Sequence, residues 1–226
     1  MVRETVRNAV RKPMRAAVPA ALLATLALAG CSSASQDAAA VGEKPAGGKP
    51  SQKAGAAGRT AAKGGTVGGS GSACPLPVTF DLAASWKPKA VSVDPDSELG
   101  AALGVQGQVT MVCEIDAKPA GNIGYLRVWQ GEKSDRTPRQ VLEAFIADED
   151  GAGKVTYGET RAGDLAAAEA GYTVRNKLLD EVKKERAFAV ATPDGPIVVH
   201  LGGMDSEEHK AMLPAYELAK KSLRLG

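Results

Sequence analysis

The chain has 226 residues, of which 44% are hydrophobic and 24% charged, and its formal net charge is +2. The charge is unevenly distributed: residues 1–30 carry +4 and residues 31–73 carry +3, which leaves −5 for the part that begins at Cys74. An acidic domain argues against nucleic acid as a partner, because phosphate binding needs a basic face.

The N-terminal region has the pattern of a signal peptide. A basic start is followed by an almost wholly apolar run over residues 16–29. This run is shorter than the ~20 apolar residues with which a helix crosses a bilayer core of ~30 Å. We therefore expect residues 1–30 to be a leader that is removed.

The end of the apolar run, Leu28-Ala29-Gly30-Cys31, resembles the lipobox of bacterial lipoproteins. In that family the Cys thiol receives a diacylglycerol, the leader is cut before the Cys, and the new amine is often acylated, for example with palmitate. The resemblance implies cleavage between Gly30 and Cys31 and lipidation of Cys31. The alternative is an ordinary secretory leader whose cleavage site contains a Cys.

The remaining two cysteines, Cys74 and Cys113, form an even pair in an oxidising compartment, which predicts a disulfide between them. The bond would be worth roughly 3 to 4 kcal/mol in the chain-entropy model. Two free thiols or a metal pair are the alternatives. The only histidines are His200 and His209, so a structural zinc site has little support.

Residues 31–73 differ in composition from the rest of the chain. About half of them are Ala or Gly, and aromatic residues, Leu and Ile are absent. Such a segment cannot bury enough apolar surface to offset its ordering entropy. We expect a flexible tether with a reach of roughly 35 Å, followed by one globular domain over residues 74–226.

Alternating apolar and polar residues predict strands in the first half of this domain. The clearest pattern covers residues 109–115 and points Cys113 into the core. Further strands are expected over residues 78–82, 86–93 and 123–129, with a turn at residues 118–122.

The second half of the domain contains two helix starts and two hairpins. Thr137-Pro138 predicts an N-cap followed by a helix with one apolar stripe. Paired strands are expected around Gly163-Asp164, over residues 154–162 and 167–174, and around the turn at residues 192–195. Asp205 begins a capping box for a closing helix, whose start Pro214 should bend or delay. The economical architecture is an α+β domain, an antiparallel sheet with helices packed on it.

The order of these elements, with Ala-x-x-Gly-Tyr around Tyr172 and a closing Ser222-Leu223, resembles the Mog1/PsbP-like α/β/α sandwich. Within that group the chain is most similar to small actinobacterial lipoproteins of the LpqN and LpqT type, over nearly all of residues 74–225. The resemblance implies an adaptor or envelope-binding role, no enzymatic activity and no cofactor. The group has no shared catalytic motif, so no site residues can be carried over.

The segment from Asp148 to Glu159 resembles an EF-hand calcium loop. Asp148 and Asp150 occupy the first and third positions and Glu159 the twelfth. Ala152, however, stands at the fifth position, where the family has an oxygen ligand, and a second EF-hand is missing. We favour a simpler interpretation, in which a helix ends, a polar turn follows and a strand begins at Lys154, and we expect no metal site.

Two further features are candidates for a role beyond the core. His200 alternates out of phase with its apolar neighbours, so we expect it on the other face of the sheet with a structural role. Trp129 follows Tyr125 on one face of a strand. If that face is open to solvent, these two residues are candidates for a partner surface.

The sequence therefore predicts a secreted domain of a high-GC Gram-positive bacterium, lipid-anchored on the extracytoplasmic face of the cell membrane. The predicted function is a non-enzymatic binding or accessory module that acts on an envelope protein or a cell-wall component. The alternatives are a regulator of an envelope-stress sensor kinase, and a calcium-dependent module or hydrolase.

Overall fold

The computed structural model describes residues 60–94, 96–177 and 180–226. These residues form an α+β domain, as predicted, with antiparallel strand pairing throughout. The elements in chain order are β1 (Lys63–Gly68), β2 (Val78–Ala83), β3 (Lys87–Ala90), α1 (Glu98–Gly104), β4 (Val105–Gln106), β5 (Val109–Asp116), a 3₁₀ turn (Lys118–Ala120), β6 (Gly124–Gly131), α2 (Pro138–Ala147), β7 (Ala152–Ala162), β8 (Leu165–Asn176), β9 (Glu181–Thr192), β10 (Gly195–Gly203), α3 (Ser206–Ser222) and β11 (Arg224–Leu225).

The strands form one large and one small sheet. The large sheet has the order β3-β5-β6-β10-β9-β8-β7, with the short β4 also paired to β5, and the small sheet has the order β1-β2-β11. Strand β10 is central and is buried at every residue. One of its faces sends Val199 and Leu201 toward α3 and the small sheet, and the other sends Val198 and His200 toward α2.

The two long helices cover opposite faces of the large sheet, and each begins where its sequence predicts. In α2, Thr137 and Gln140 form a reciprocal capping box, which satisfies amide groups that a helix start leaves free. In α3, the Asp205 carboxylate accepts hydrogen bonds from the amides of Glu207 and Glu208. Pro214 lies inside α3 but does not delay it, because the helix begins directly after its cap.

The β9–β10 hairpin also follows its sequence pattern. The Thr192 hydroxyl donates to the Gly195 carbonyl at 2.7 Å and accepts from the Asp194 amide at 3.2 Å. Gly195 has a φ of +119°, and a Cβ there would lie 2.1 Å from the Gly131 carbonyl oxygen. Both its backbone conformation and its surroundings therefore require glycine at this turn.

The predicted boundary between tether and domain at Cys74 is wrong. Residues 63–68 form β1, which pairs with β2, and Val67 is fully buried. A β ladder is built from backbone groups, so a glycine-rich strand can form once its partner strand is in place. The domain thus includes residues of the predicted tether, while residues 1–59, with the expected leader and Cys31, lie outside the described part.

Helix α1 was not predicted. The Asp94 carboxylate accepts from the Asp96 amide in a turn, and Ser97 then caps a seven-residue helix. The helix leaves Leu99 and Leu103 exposed. Its apolar residues therefore do not mark a buried stripe, which is the feature that sequence periodicity detects.

Candidate functional site

A cluster of polar side chains lies on the face of the large sheet that α2 covers. Neighbouring strands place its members side by side, because Tyr172 on β8 is paired with Glu185 on β9, and Glu185 with Gly202 on β10. His200 lies two residues before Gly202 and therefore on the same face. A Cβ at Gly202 would come within 3.2 Å of His200 Cε1, so glycine leaves room here for the imidazole.

The Glu185 carboxylate is the centre of this group, which we call the charge cluster (Tyr172, Lys183, Glu185 and His200). Its Oε2 lies 2.7 Å from His200 Nε2 and accepts from the Tyr172 hydroxyl at 3.3 Å, and its Oε1 lies 2.6 Å from Lys183 Nζ. Only 4% of Glu185 and 5% of His200 are exposed. A buried carboxylate is retained only when it is paired and hydrogen-bonded, and these three contacts meet that condition.

Aromatic rings enclose the imidazole. The Tyr172 ring is nearly parallel to the His200 ring at 6.3 Å between centroids, and the Phe145 ring of α2 lies 5.7 Å away. Beside them, Gln106 donates to the Glu149 carboxylate at 2.9 Å and to the Phe145 carbonyl at 3.1 Å. The end of α2 and strand β4 are thereby joined at the edge of the charge cluster.

The electrostatics favour a charged Glu185 and a neutral Tyr172. Burial alone would raise the pKa of the Glu185 carboxyl, but His200 and Lys183 outweigh it and lower this pKa to about 2. Burial, reinforced by the Glu185 charge, raises the pKa of Tyr172 far above its usual value. Burial and then repulsion from Glu185 raise the pKa of Glu149. A carboxylate with so low a pKa is a weak base at neutral pH, so the geometry suits holding Lys183 in place better than it suits proton transfer.

Lys183 connects the charge cluster to an open groove of about 490 Å³. The groove lies where β9, the end of β10 and the first turn of α3 meet. Lys183 Nζ also donates to the Gly203 carbonyl at 3.3 Å, so one side chain ties the buried carboxylate to the groove wall. The residues that line the groove are Asn176, Glu181, Val182, Lys183, Gly203, Met204, Asp205, Ser206 and Glu207.

A second, smaller cavity of about 290 Å³ lies on the α2 side, between the loop after β6 and the helix. It is lined by Gln108, Val109, Glu132, Lys133, Ser134, Arg136, Val141, Ala144 and Pro196. Its charged residues are of both signs and lie on one loop.

A separate polar network attaches α3 to the opposite face of the sheet. The Tyr216 hydroxyl and Lys220 Nζ both donate to the Glu169 carboxylate at 2.8 Å, and Lys220 also reaches Glu217 at 3.1 Å. His209, near the start of α3, is buried, and burial together with nearby Arg186 lowers its pKa to about 4. The contacts of Tyr216 and Lys220 with Glu169 hold the helix on the sheet, and none of these residues lines the groove.

The predicted pairing of Cys74 with Cys113 is confirmed. The two residues form a disulfide with their Cα atoms 5.8 Å apart, and both are fully buried. The bond joins the segment after β1 to β5 of the large sheet. Cys113 points into the core, as the alternation on its strand predicted.

The calcium-loop candidates do not converge. Asp148 accepts from the Gly107 amide at 2.9 Å, Asp150 is paired with Lys177 at 2.8 Å, and Glu159 lies exposed in the middle of β7. A strand from Ala152 replaces the exiting helix that an EF-hand needs, which confirms the simpler interpretation of this segment. Among the described residues, no three His, Cys, Asp or Glu side chains lie close enough together to hold a metal ion.

Trp129 and Tyr125 were candidates for a partner surface, and this prediction is wrong for Trp129. Only 4% of Trp129 is exposed, because α2 covers it and Phe145 packs edge-on against its ring at 5.4 Å between centroids. Tyr125 is half-buried, and the Arg127 guanidinium lies 4.9 Å from its ring centre. The aromatic stripe on β6 therefore serves mainly the core, and a role for Tyr125 in partner binding stays a prediction.

His200 lies on the opposite face from Val199 and Leu201, as predicted, but its buried partners were not foreseen. The sequence signal for these partners is the segment over residues 183–186, where charged residues lie within a strand next to an apolar run. Alternation then places Lys183 and Glu185 on one face. It does not say that β10 brings an imidazole to that same face, because strand order is not visible in periodicity.

Comparison with known proteins places this α+β domain in a family. Residues 44–223 match the model of a family described as uncharacterised lipoprotein, and the chain belongs to that family. No curated protein matches the chain.

The solved structures that are similar to the domain include two with low sequence identity. One is the solution structure of cyanobacterial PsbP (CyanoP) from Synechocystis sp. PCC 6803, at 14% identity and a TM-score of 0.47, covering 71% of this chain and 97% of that one. The other is LpqN of Mycobacterium tuberculosis, described as involved in cell envelope biogenesis, at 13% identity and a TM-score of 0.45, covering 71% and 88%. No helix in the described residues has the length and apolar character needed to cross a membrane.

Proposed function

We propose that the protein is a lipoprotein, anchored through an acylated Cys31 on the extracytoplasmic face of the membrane, that acts as a non-enzymatic binding module at the cell envelope. The observation that carries this proposal is the match of residues 44–223 to a lipoprotein family. The matched region begins shortly after the lipobox-like sequence that ends at Cys31.

The geometry of the charge cluster supports binding rather than catalysis. The Glu185 carboxylate is engaged by His200, Lys183 and Tyr172. These contacts stabilise its ionised form and fix the position of Lys183 at the edge of the groove. A preformed, largely open groove beside a rigid buried cluster is an arrangement suited to holding a partner.

The anchor can be tested by intact mass spectrometry of the protein extracted from membranes. We expect a mass that corresponds to cleavage before Cys31 plus diacylglycerol and an acyl chain. A Cys31→Ala variant should lack the added mass. No processed form of this variant should be found in the membrane fraction. An unmodified wild-type mass, or release of the wild type into the medium, would overturn the proposed anchor.

The binding role can be tested by complementation of a deletion strain. We expect wild-type protein, but not the Cys31→Ala variant, to restore the strain's envelope phenotype. A His200→Gln variant that is folded should restore it as well, because the imidazole has a structural role here. If the His200→Gln protein has wild-type stability but does not restore the phenotype, His200 has a role beyond structure.

A further inference from the structure

We propose that the groove at the start of α3 binds a basic, amphipathic peptide segment of a partner protein. This inference rests on the proposed binding function and adds to it the site and the chemistry of the partner. Three properties of the groove carry it: preformed walls, an apolar rim and an excess of carboxylates.

The walls of the groove are tied to one another, so its shape does not depend on an occupant. The Lys184 amide on β9 donates to the Ser206 hydroxyl of α3 at 3.1 Å. Lys183 bridges β9 to the Gly203 carbonyl of β10, and the Met204 amide donates to the Ile123 carbonyl at 3.0 Å. Binding to such a preformed site avoids the cost of ordering loops.

The rim of the groove is apolar and open to solvent. Met204 is 64% exposed and Val182 is 45% exposed. Ile123 does not line the groove, but its carbonyl accepts from the Met204 amide and its side chain is 55% exposed. These are three of the six large hydrophobic residues that are exposed in the described chain, and the other three are Leu99, Leu103 and Leu225. Exposed apolar residues gathered in one place mark an interaction site more strongly than scattered ones.

The charges of the groove select a cationic partner. Glu181, Asp205 and Glu207 line it, and the charge of Lys183 is matched by the buried Glu185 at 2.6 Å. Asp205 uses Oδ1 to cap α3, and Glu181 and Glu207 are exposed at the rim. Glu207 also lies 3.9 Å from Lys210 Nζ, but both side chains of this pair are largely exposed, so solvent screens it. A Lys or Arg side chain fits both features, because its methylene groups can lie on Met204 and Val182 while its charged end reaches a carboxylate.

The same charges argue against an anionic lipid surface as the occupant. Bacterial lipid headgroups that carry negative charge attract clusters of Lys and Arg, whereas the rim presents carboxylates and the chain from Cys74 onward has a net charge of −5. We therefore assign the groove to a protein segment that contains both basic and apolar side chains.

The probe for this proposal is the fluorescein-labelled peptide Lys-Ala-Leu-Lys-Ala-Lys, with Glu-Ala-Leu-Glu-Ala-Glu as its charge-reversed match. The full acylated protein in nanodiscs of neutral lipid is titrated with each peptide, and binding is followed by fluorescence anisotropy against empty nanodiscs. We expect only the basic peptide to bind, and its affinity to fall as salt is added.

Two sets of variants then locate the binding. One variant is the double substitution Glu181→Lys, Glu207→Lys, and the other is Met204→Ser. Each should lower the affinity for the basic peptide by about tenfold or more, which corresponds to about 1.4 kcal/mol of binding free energy. Asp96→Lys with Glu98→Lys, and separately Leu99→Ser, are the matched controls, because they reverse two exposed acidic residues and replace one exposed apolar residue outside the groove, on α1 and just before it. They should leave the affinity unchanged.

Several results would overturn the groove assignment. If both peptides bind with equal affinity, the groove does not select its partner by charge. If the α1 variants lose as much affinity as the groove variants, the peptide does not bind in the groove. Saturable binding of the protein to anionic vesicles that is lost in Met204→Ser would make lipid the occupant. Failure of the basic peptide to bind an acylated protein that still complements the deletion strain would refute the groove and leave the proposed function standing.

Discussion

The Glu185 carboxylate and the His200 imidazole form a buried pair across β9 and β10, with 2.7 Å between Oε2 and Nε2. Glu185→Ala should lower the free energy of unfolding by about 3 to 5 kcal/mol, because the buried His200 then loses its hydrogen-bond partner and Lys183 loses its carboxylate. Urea denaturation followed by tryptophan fluorescence measures this change.

The matched control is Glu114→Ala. Glu114 also accepts from a cationic side chain in a neighbouring strand, Arg127 at 2.8 Å, but about a third of that pair is exposed. The substitution should cost no more than about 1 kcal/mol. If the two variants lose the same amount, burial does not set the strength of the Glu185 contacts.

His209 makes stability depend on pH between about 6.5 and 4. Its pKa is lowered to about 4 in the folded protein, so on acidification the unfolded chain takes up this proton first. The contribution of the neutral His209 to the free energy of unfolding is therefore complete above pH 6.5 and is lost as the pH falls toward 4. A His209→Gln variant should show a flatter dependence in that range, measured by urea denaturation at a series of pH values. An unchanged slope would show that the pKa of His209 is the same in the folded and unfolded states.

Reduction of the disulfide between Cys74 and Cys113 should destabilise the domain by roughly 3 to 4 kcal/mol, because the unfolded chain gains loop entropy. The double variant Cys74→Ser, Cys113→Ser should give a similar loss. Thermal unfolding with and without reductant measures it, and reductant should have no effect on the double variant. A wild type that is insensitive to reductant, despite a two-dalton mass gain, would contradict the expected contribution.

Gly163→Ala should destabilise the domain by at least about 1 kcal/mol. Gly163 has a φ of +53° in the β7–β8 turn, and a Cβ there would lie 1.8 Å from the Leu223 carbonyl oxygen at the end of α3. Gly158→Ala, on β7, is the matched control, because a Cβ at Gly158 meets no atom within 4 Å. It should be neutral or slightly stabilising in the same denaturation experiment, and equal effects of the two substitutions would refute the close approach.

Local chemistry in the sequence was sufficient to predict most of the fold. Thr137 and Asp205 mark their helix starts because side-chain capping is a local interaction. The turn at residues 192–195 and the alternation around Cys113 are equally local, and each element appears where it was expected.

The charge cluster depends instead on which strands become neighbours. Glu185 and His200 are 15 positions apart, and only the order β10-β9-β8 brings Tyr172 to the same carboxylate. Trp129 shows the same limitation, since nothing on β6 reveals that α2 will cover it. Strand β1 was missed for another reason: its single buried side chain, Val67, gives no alternation to detect.

The position of β1 has a mechanical consequence. Strand β1 lies at the edge of the small sheet and pairs only with β2 among the described residues, and Cys74 follows it before the chain enters β2. A pull from the N-terminal side would therefore load first the Ala61 amide, which donates to the Pro214 carbonyl of α3 at 2.9 Å. It would then load β1, whose hydrogen bonds can open one after another. Extension then stops at Cys74, because the disulfide passes the force to Cys113 on β5. The disulfide therefore limits the released segment to residues 63–73, which span at most about 40 Å when fully extended, while the main sheet stays folded.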